Sequence, residues 1–169
     1  MLTTDQKGSI AETAIVAAAA KLGIGVFKPL TDGERYDLIF DLRPRLVRVQ
    51  CKWAGRRDDI IVVRCVSARR ARDGLRHRVY TAEEIDAFAA YCAEIDECYF
   101  LPIELFPYRH AVQLRLGPTR NNQHLGINWA KDFEFAARLR ATGAVAQLGE
   151  RLNGIQKAAG SSPAGSTLK

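Results

Sequence analysis

The spacing of apolar positions changes period several times along the chain, and each change marks an element. Residues 3–22 are rich in alanine, and Ile10, Ala14, Ala17 and Lys21 fall near one stripe of a helix. Thr3, Thr4 or Asp5 can cap its start and Gly23 ends it. Small side chains on that face let the helix sit close to a sheet. A short strand at 26–28 and a polar loop at 29–34 follow. Residues 36–42 alternate as a strand, and Pro44 marks a tight turn. Residues 46–53, LVRVQCKW, form the clearest strand, with Leu46, Arg48, Gln50 and Lys52 on one face and Val47, Val49, Cys51 and Trp53 on the other. A turn at 55–59 leads to a β-branched, buried strand at 60–66. Hairpin spacing predicts that these three strands are antiparallel.

Residues 81–94 open on Thr-Ala-Glu-Glu, a cap followed by acids. Ile85, Phe88, Ala89 and Cys92 then make a stripe that predicts a helix packed on the sheet. A strand at 98–105, a shorter one at 111–116, a polar loop at 117–124 and a helix at 131–141 complete the pattern. The predicted fold is α/β: an αβββαβ core with a small mixed sheet flanked by helices. It occupies residues 1–141.

Residues 142–169 read differently, without amphipathic pattern and ending in AAGSSPAGSTLK. They fit translated tRNA gene sequence, with an ordinary flexible tail as the plain alternative. Gly160-Ser-Ser-Pro163 is what GGT TCG AGT CCC encodes, the T-arm of a tRNA, and VAQLGER at 145–151 fits a D-arm. Gly143-Ala144 and Gly165-Ser166 can be written as reverse complements, as an acceptor stem requires. A poorly ordered tail is expected.

Composition bounds the rest. A chain of 169 residues, 47% apolar and 26% charged, suits one globular core. No run approaches the roughly 20 apolar residues of a membrane span, and the longest, 14–20, follows no basic segment. A cytoplasmic location without membrane contact is expected. Cys51, Cys65, Cys92 and Cys98 form no CxxC pair, so reduced core thiols are predicted rather than zinc ligands. The net charge of +6 is concentrated at 67–80, where Arg69, Arg70, Arg72, Arg76 and Arg78 accompany His77. Arginine suits bidentate phosphate contacts; a solvated polar loop is the plain alternative.

Candidate chemistry gathers on the central strands. Gln50 and Lys52 share a face, and Asp37 and Gln50 are roughly equidistant from the turn near Pro44, so the two meet across the pair. Asp37 can supply a charged ligand to a hard cation, the Gln50 amide and the Cys51 backbone carbonyl further oxygens. Lys52 can orient or deprotonate a water, or stabilise developing charge. Glu12 can approach from the first helix. Singly, each is an ordinary strand or helix position; together they are the equipment of phosphodiester hydrolysis.

A helix with Glu12, a strand with Asp37 and then Gln50-Cys51-Lys52 before an apolar strand resembles the PD-(D/E)XK nuclease superfamily. The spacing is similar to archaeal Holliday-junction resolvases. A nearer resemblance is to the PD-(D/E)XK homing endonucleases of bacterial group I introns, which share the QxK form. YTAEEIDAFAAYC, ECYFLPIEL and NNQHLGINWAKDF also resemble that group. Tyr36 stands where the motif has proline, and Gln50 replaces an acid, which removes one negative charge from the metal site. The resemblance implies a site-specific endonuclease of a mobile element that uses Mg²⁺ (or Mn²⁺) on double-stranded DNA. It would act as a symmetric homo-oligomer, a tetramer rather than a dimer. Asp37, Gln50, Lys52 and Glu12 would be catalytic, with metal at Asp37, Gln50, Glu12 and the Cys51 carbonyl. DNA contacts would come from Arg56, Arg57 and the arginines at 69–78. In late loops Arg109, Arg120, Asn121, Asn122 and Gln123 would join them, Asn and Gln being able to read adenine. The rival functions are a structure-selective, resolvase-like nuclease and a decayed module that only binds DNA.

Overall fold

Thr3 starts the first helix with a capping box: its hydroxyl accepts from the Gln6 amide at 3.2 Å, and the Gln6 side chain accepts from the Thr3 amide at 2.9 Å. In the computed structural model, which describes residues 1–31, 33–72, 74–119 and 125–141, this helix is α1 (Thr4–Lys21). Its buried stripe is Ala11, Ile15 and Ala19, one position round from the predicted Ile10, Ala14 and Ala17. In an alanine-rich helix almost every stripe is apolar, so the sheet chooses the one that buries Ile15 and leaves Ile10 outside. Glu12 borders that buried stripe.

The strands β1 (Gly25–Phe27), β2 (Leu38–Asp41), β3 (Leu46–Arg57) and β4 (Ile60–Arg64) pair antiparallel in chain order, as hairpin spacing predicts for the last three. The registers are Leu38↔Val49 and Ala54↔Val63. The turn predicted at 55–59 shrinks to Asp58 and Asp59. Gly55 stays in the ladder opposite Val62, and the chain reverses through Asp58 at φ 51°, a left-handed conformation that aspartate tolerates.

The arginine-rich stretch is not a loop between strand and helix. It forms a two-stranded hairpin, β5 (Val66–Ala71) with β6 (Gly74–Val79), which pairs with neither neighbour in the main sheet. Gly74, at φ 127°, makes its turn, and Arg69 pairs across from Arg76.

The helix predicted at 81–94 is also absent. Its cap works for one turn only: the Ile85 amide donates to the Thr81 carbonyl at 3.1 Å, and the Thr81 amide to Glu84 at 3.3 Å. Arg48 then takes the Ala82 and Glu83 carbonyls and both oxygens of Asp86, pinning this segment to β3. The residues that follow become β7 (Ala87–Cys92), parallel to β3 and antiparallel to β8 (Glu97–Pro102). A strand buried on both faces shows no alternation, so its continuous apolar run imitated a helix stripe. β9 (Ala111–Arg115) closes the sheet beside β4. The last predicted helix begins instead as a 3-10 turn, Ala130–Phe133, and α2 covers only Phe135–Ala141.

The sheet carries two cores. Beneath α1 and α2 lie Ile15, Leu38, Phe40, Val49, Phe100 and Leu139; on the opposite face lie Ile61, Val63, Tyr80, Phe88, Leu101 and Leu114. Each fully buried large side chain stabilises the fold by roughly 1.5–3 kcal/mol. The four cysteines are free thiols, Cys65 and Cys92 buried, Cys51 and Cys98 partly so. Burial pushes Cys65 and Cys92 up to about 11. Among the described residues no helix is long and apolar enough to cross a membrane.

Candidate active site

The site forms where one ladder stops. β2 pairs with β3 as far as Leu38↔Val49, and the Asp37 amide still donates to the Val49 carbonyl at 2.9 Å. Two residues on, the Cys51 amide points from the same edge with no further β2 residue to receive it. The Asp37 carboxylate takes that place: Oδ2 accepts from the Cys51 amide at 2.8 Å and from Gln50 Nε2 at 2.5 Å. Asp37 and Gln50 thus meet as their roughly equal spacing from the turn near Pro44 predicts.

Burial pushes the Asp37 carboxyl above its ordinary range, and the negative charge of Glu12 adds to this; the Cys51 amide and the Lys52 ammonium pull the other way. Asp37 is therefore a carboxylate short of positive charge. Glu12 reaches the region from α1, and its charge is felt by Asp37 and Cys51. It does not touch Asp37 but forms an ion pair with Lys28, a residue that the sequence reading passed over.

Lys52 lies on the opposite face of β3 from α1, the face of Phe88. Its ammonium donates to the Val66 carbonyl at 3.2 Å and to the Tyr80 hydroxyl at 3.3 Å, and sits 4.8 Å from the centre of the Tyr80 ring. Burial lowers its pKa, and the nearby Asp37 charge partly restores it. Tyr80 is another residue that the sequence did not single out. Nothing in a lone tyrosine after an arginine-rich run signals contact with a lysine on another strand.

The available donors suit a hard cation. Among the described residues no three His, Cys, Asp or Glu side chains converge to hold a metal. A cation at this edge would therefore draw on Asp37, the Cys51 carbonyl and the Gln50 amide, with Glu12 alongside. Gln50 presents its nitrogen, 3.4 Å from the Cys51 carbonyl as well as beside Asp37. A half-turn of the amide exchanges that donor for an oxygen ligand. This all-oxygen set is what Mg²⁺ or Mn²⁺ prefers.

The predicted DNA-contacting residues are scattered. Arg56 donates to the Asp58 carbonyl at 2.7 Å, and Arg57 lines a groove with Arg64, His77 and His110. In the hairpin Arg72, Arg76 and Arg78 are exposed, and Arg78 forms an ion pair with Glu84. Arg69 and Arg70 lie in β5. Arg109 is exposed, far along the chain from the hairpin. Arg120, Asn121, Asn122 and Gln123 lie outside the described residues, as does the tail at 142–169.

The structure thus sets a strand-edge carboxylate beside a Gln-x-Lys on the next strand, with an acid on the preceding helix. The sequence profile of the PD-(D/E)XK endonuclease family matches residues 2–136, and the chain belongs to that family. A solved structure of the bacterial homing endonuclease I-Ssp6803I superposes with a TM-score of 0.69 at 29% identity, covering 86% of this chain and 98% of that one. No curated protein matches.

Proposed function

We propose that this chain is a metal-dependent homing endonuclease that hydrolyses phosphodiester bonds of double-stranded DNA at a specific site. The observation that carries the reading is the Asp37 carboxylate held 2.5 Å from Gln50 at the open edge of β3, with Lys52 two residues further along the same strand. Asp37, Gln50, the Cys51 carbonyl and Glu12 would hold Mg²⁺ or Mn²⁺. When bound, such a cation polarises the phosphate and makes a water more acidic. Asp37, underneutralised by its own surroundings, fixes the charge of the site. To join that set, Glu12 would have to leave its ion pair with Lys28. Lys52 places a positive charge against the phosphate oxygens, where negative charge grows as the bond breaks.

The arginine hairpin would lie along the DNA backbone, with Arg56 and Arg57 continuing the contact. One such site cuts one strand at a time, so cutting both strands together would take a symmetric homo-oligomer, with a tetramer the form proposed. Role in a mobile element rests on the likeness to the homing endonuclease, and residues 142–169 would be tRNA gene sequence read as protein.

Incubation with duplex DNA libraries should give discrete cuts in Mg²⁺ and none in EDTA. Asp37→Ala should abolish cutting while leaving binding intact. Failure of the wild type to cut any DNA would sink the nuclease reading, and preference for four-way junctions over duplexes would replace it with a resolvase. Sedimentation equilibrium reads the oligomer directly.

A further inference from the structure

The base of the arginine hairpin does more than hold the hairpin on. Val66, where β5 begins, accepts from Lys52, and Tyr80 follows directly on β6. Tyr80 is only 4% exposed, and its ring meets Phe88 edge-on at 5.4 Å, so the phenol has little freedom to swing. Arg35 braces it from another side, its guanidinium carbon 4.0 Å from the ring centre. The same guanidinium donates to Ser67 Oγ at 3.0 Å and to the Val79 carbonyl at 3.1 Å. Its Nε lies 3.2 Å from Glu84, an ion pair not aligned as a hydrogen bond. Val66 and Val79 are paired residues that close the hairpin. Arg35 therefore fastens both strands and the tyrosine in one unit.

A lysine side chain has four rotatable bonds and loses their freedom when held in one place. Lys52 is held by two acceptors and a ring, all supplied by this unit. We propose that Tyr80 is a positioning residue for Lys52, its hydroxyl fixing the ammonium at the site while Arg35 fixes Tyr80. This rests on the role given to Lys52 above. It also ties the position of Lys52 to the hairpin that meets the DNA backbone, because the residues that hold the lysine close that hairpin.

Tyr80→Phe tests it, since the ring and its packing stay and only the hydroxyl goes. Two measurements are needed. In metal-free protein, competitive acetylation read by mass spectrometry should modify Lys52 several-fold faster in the variant, with Lys21 and Lys131 unchanged. In single-turnover cleavage the rate should fall about tenfold with unchanged DNA affinity, the scale of one hydrogen bond to a charged group. Unchanged acetylation of Lys52 overturns the proposal. Faster acetylation with a wild-type cleavage rate also overturns it, by reducing the hydroxyl to a structural contact. If the wild-type protein cuts no DNA, the nuclease reading fails separately, and the acetylation result still decides whether Tyr80 holds Lys52.

Discussion

Replacing Arg72 and Arg76 with alanine removes two exposed charges from a hairpin whose strands pair only with each other. The fold should hardly notice. Both side chains are exposed, Arg72 beside the turn at Gly74 and Arg76 on β6. DNA binding should notice in a specific way. Each phosphate neutralised contributes about 0.9 to the slope of log affinity against log salt, so losing two contacts flattens that slope by about 1.8. Between about 50 and 200 mM salt, a fourfold rise, the wild type should then lose about 12-fold more affinity than the double variant. Fluorescence anisotropy with a labelled duplex in EDTA, titrated at several KCl concentrations, measures both slopes without cleavage. Equal slopes for the two proteins, with equal melting temperatures, would remove the hairpin from the DNA interface.

Three further outcomes follow from the site. Asp37 is raised above the ordinary carboxyl value of about 3.9, so the folded chain binds its proton more readily and stability declines as pH rises from that value through the folded pKa. Asp37→Asn should therefore raise Tm at pH 7 while abolishing cleavage; a lower Tm would contradict the electrostatic account. Lys52 is lowered, so its charge should be lost below the ordinary lysine value of about 10.4, giving a single-turnover rate that falls on that alkaline side. Lys52→Arg keeps its charge throughout, and a limb that persists in that variant belongs to another group. Gln50→Glu replaces an amide that donates to Asp37 at 2.5 Å with a second carboxylate. It should lower Tm without metal and enlarge the increase in Tm on adding Mg²⁺; an equal increase in both proteins would place the cation away from Gln50.

Local signals determined much of this protein. The cap residues at 3–5, the alternation of residues 46–53 and the roughly equal spacing of Asp37 and Gln50 from the turn near Pro44 are short-range patterns, and they appear in the fold as a helix start, a strand and a hydrogen-bonded pair. That motif, together with the later segments YTAEEIDAFAAYC, ECYFLPIEL and NNQHLGINWAKDF, pointed to the endonuclease family that the chain belongs to. Tertiary structure decided what depends on burial from two sides. Residues 81–94 carry a genuine helix start, but Arg48 captures it after one turn and β3 and β8 claim the remainder as a central strand. The stripe of α1 was equally undetermined, because alanine is small on every face and only the sheet selects Ile15. Contacts of Lys52 with Tyr80, and of Glu12 with Lys28, join residues far apart in the chain that no periodicity links. A lysine two residues after Gln50 could be read from the sequence; what holds its ammonium in place is set only when the arginine hairpin closes beside it.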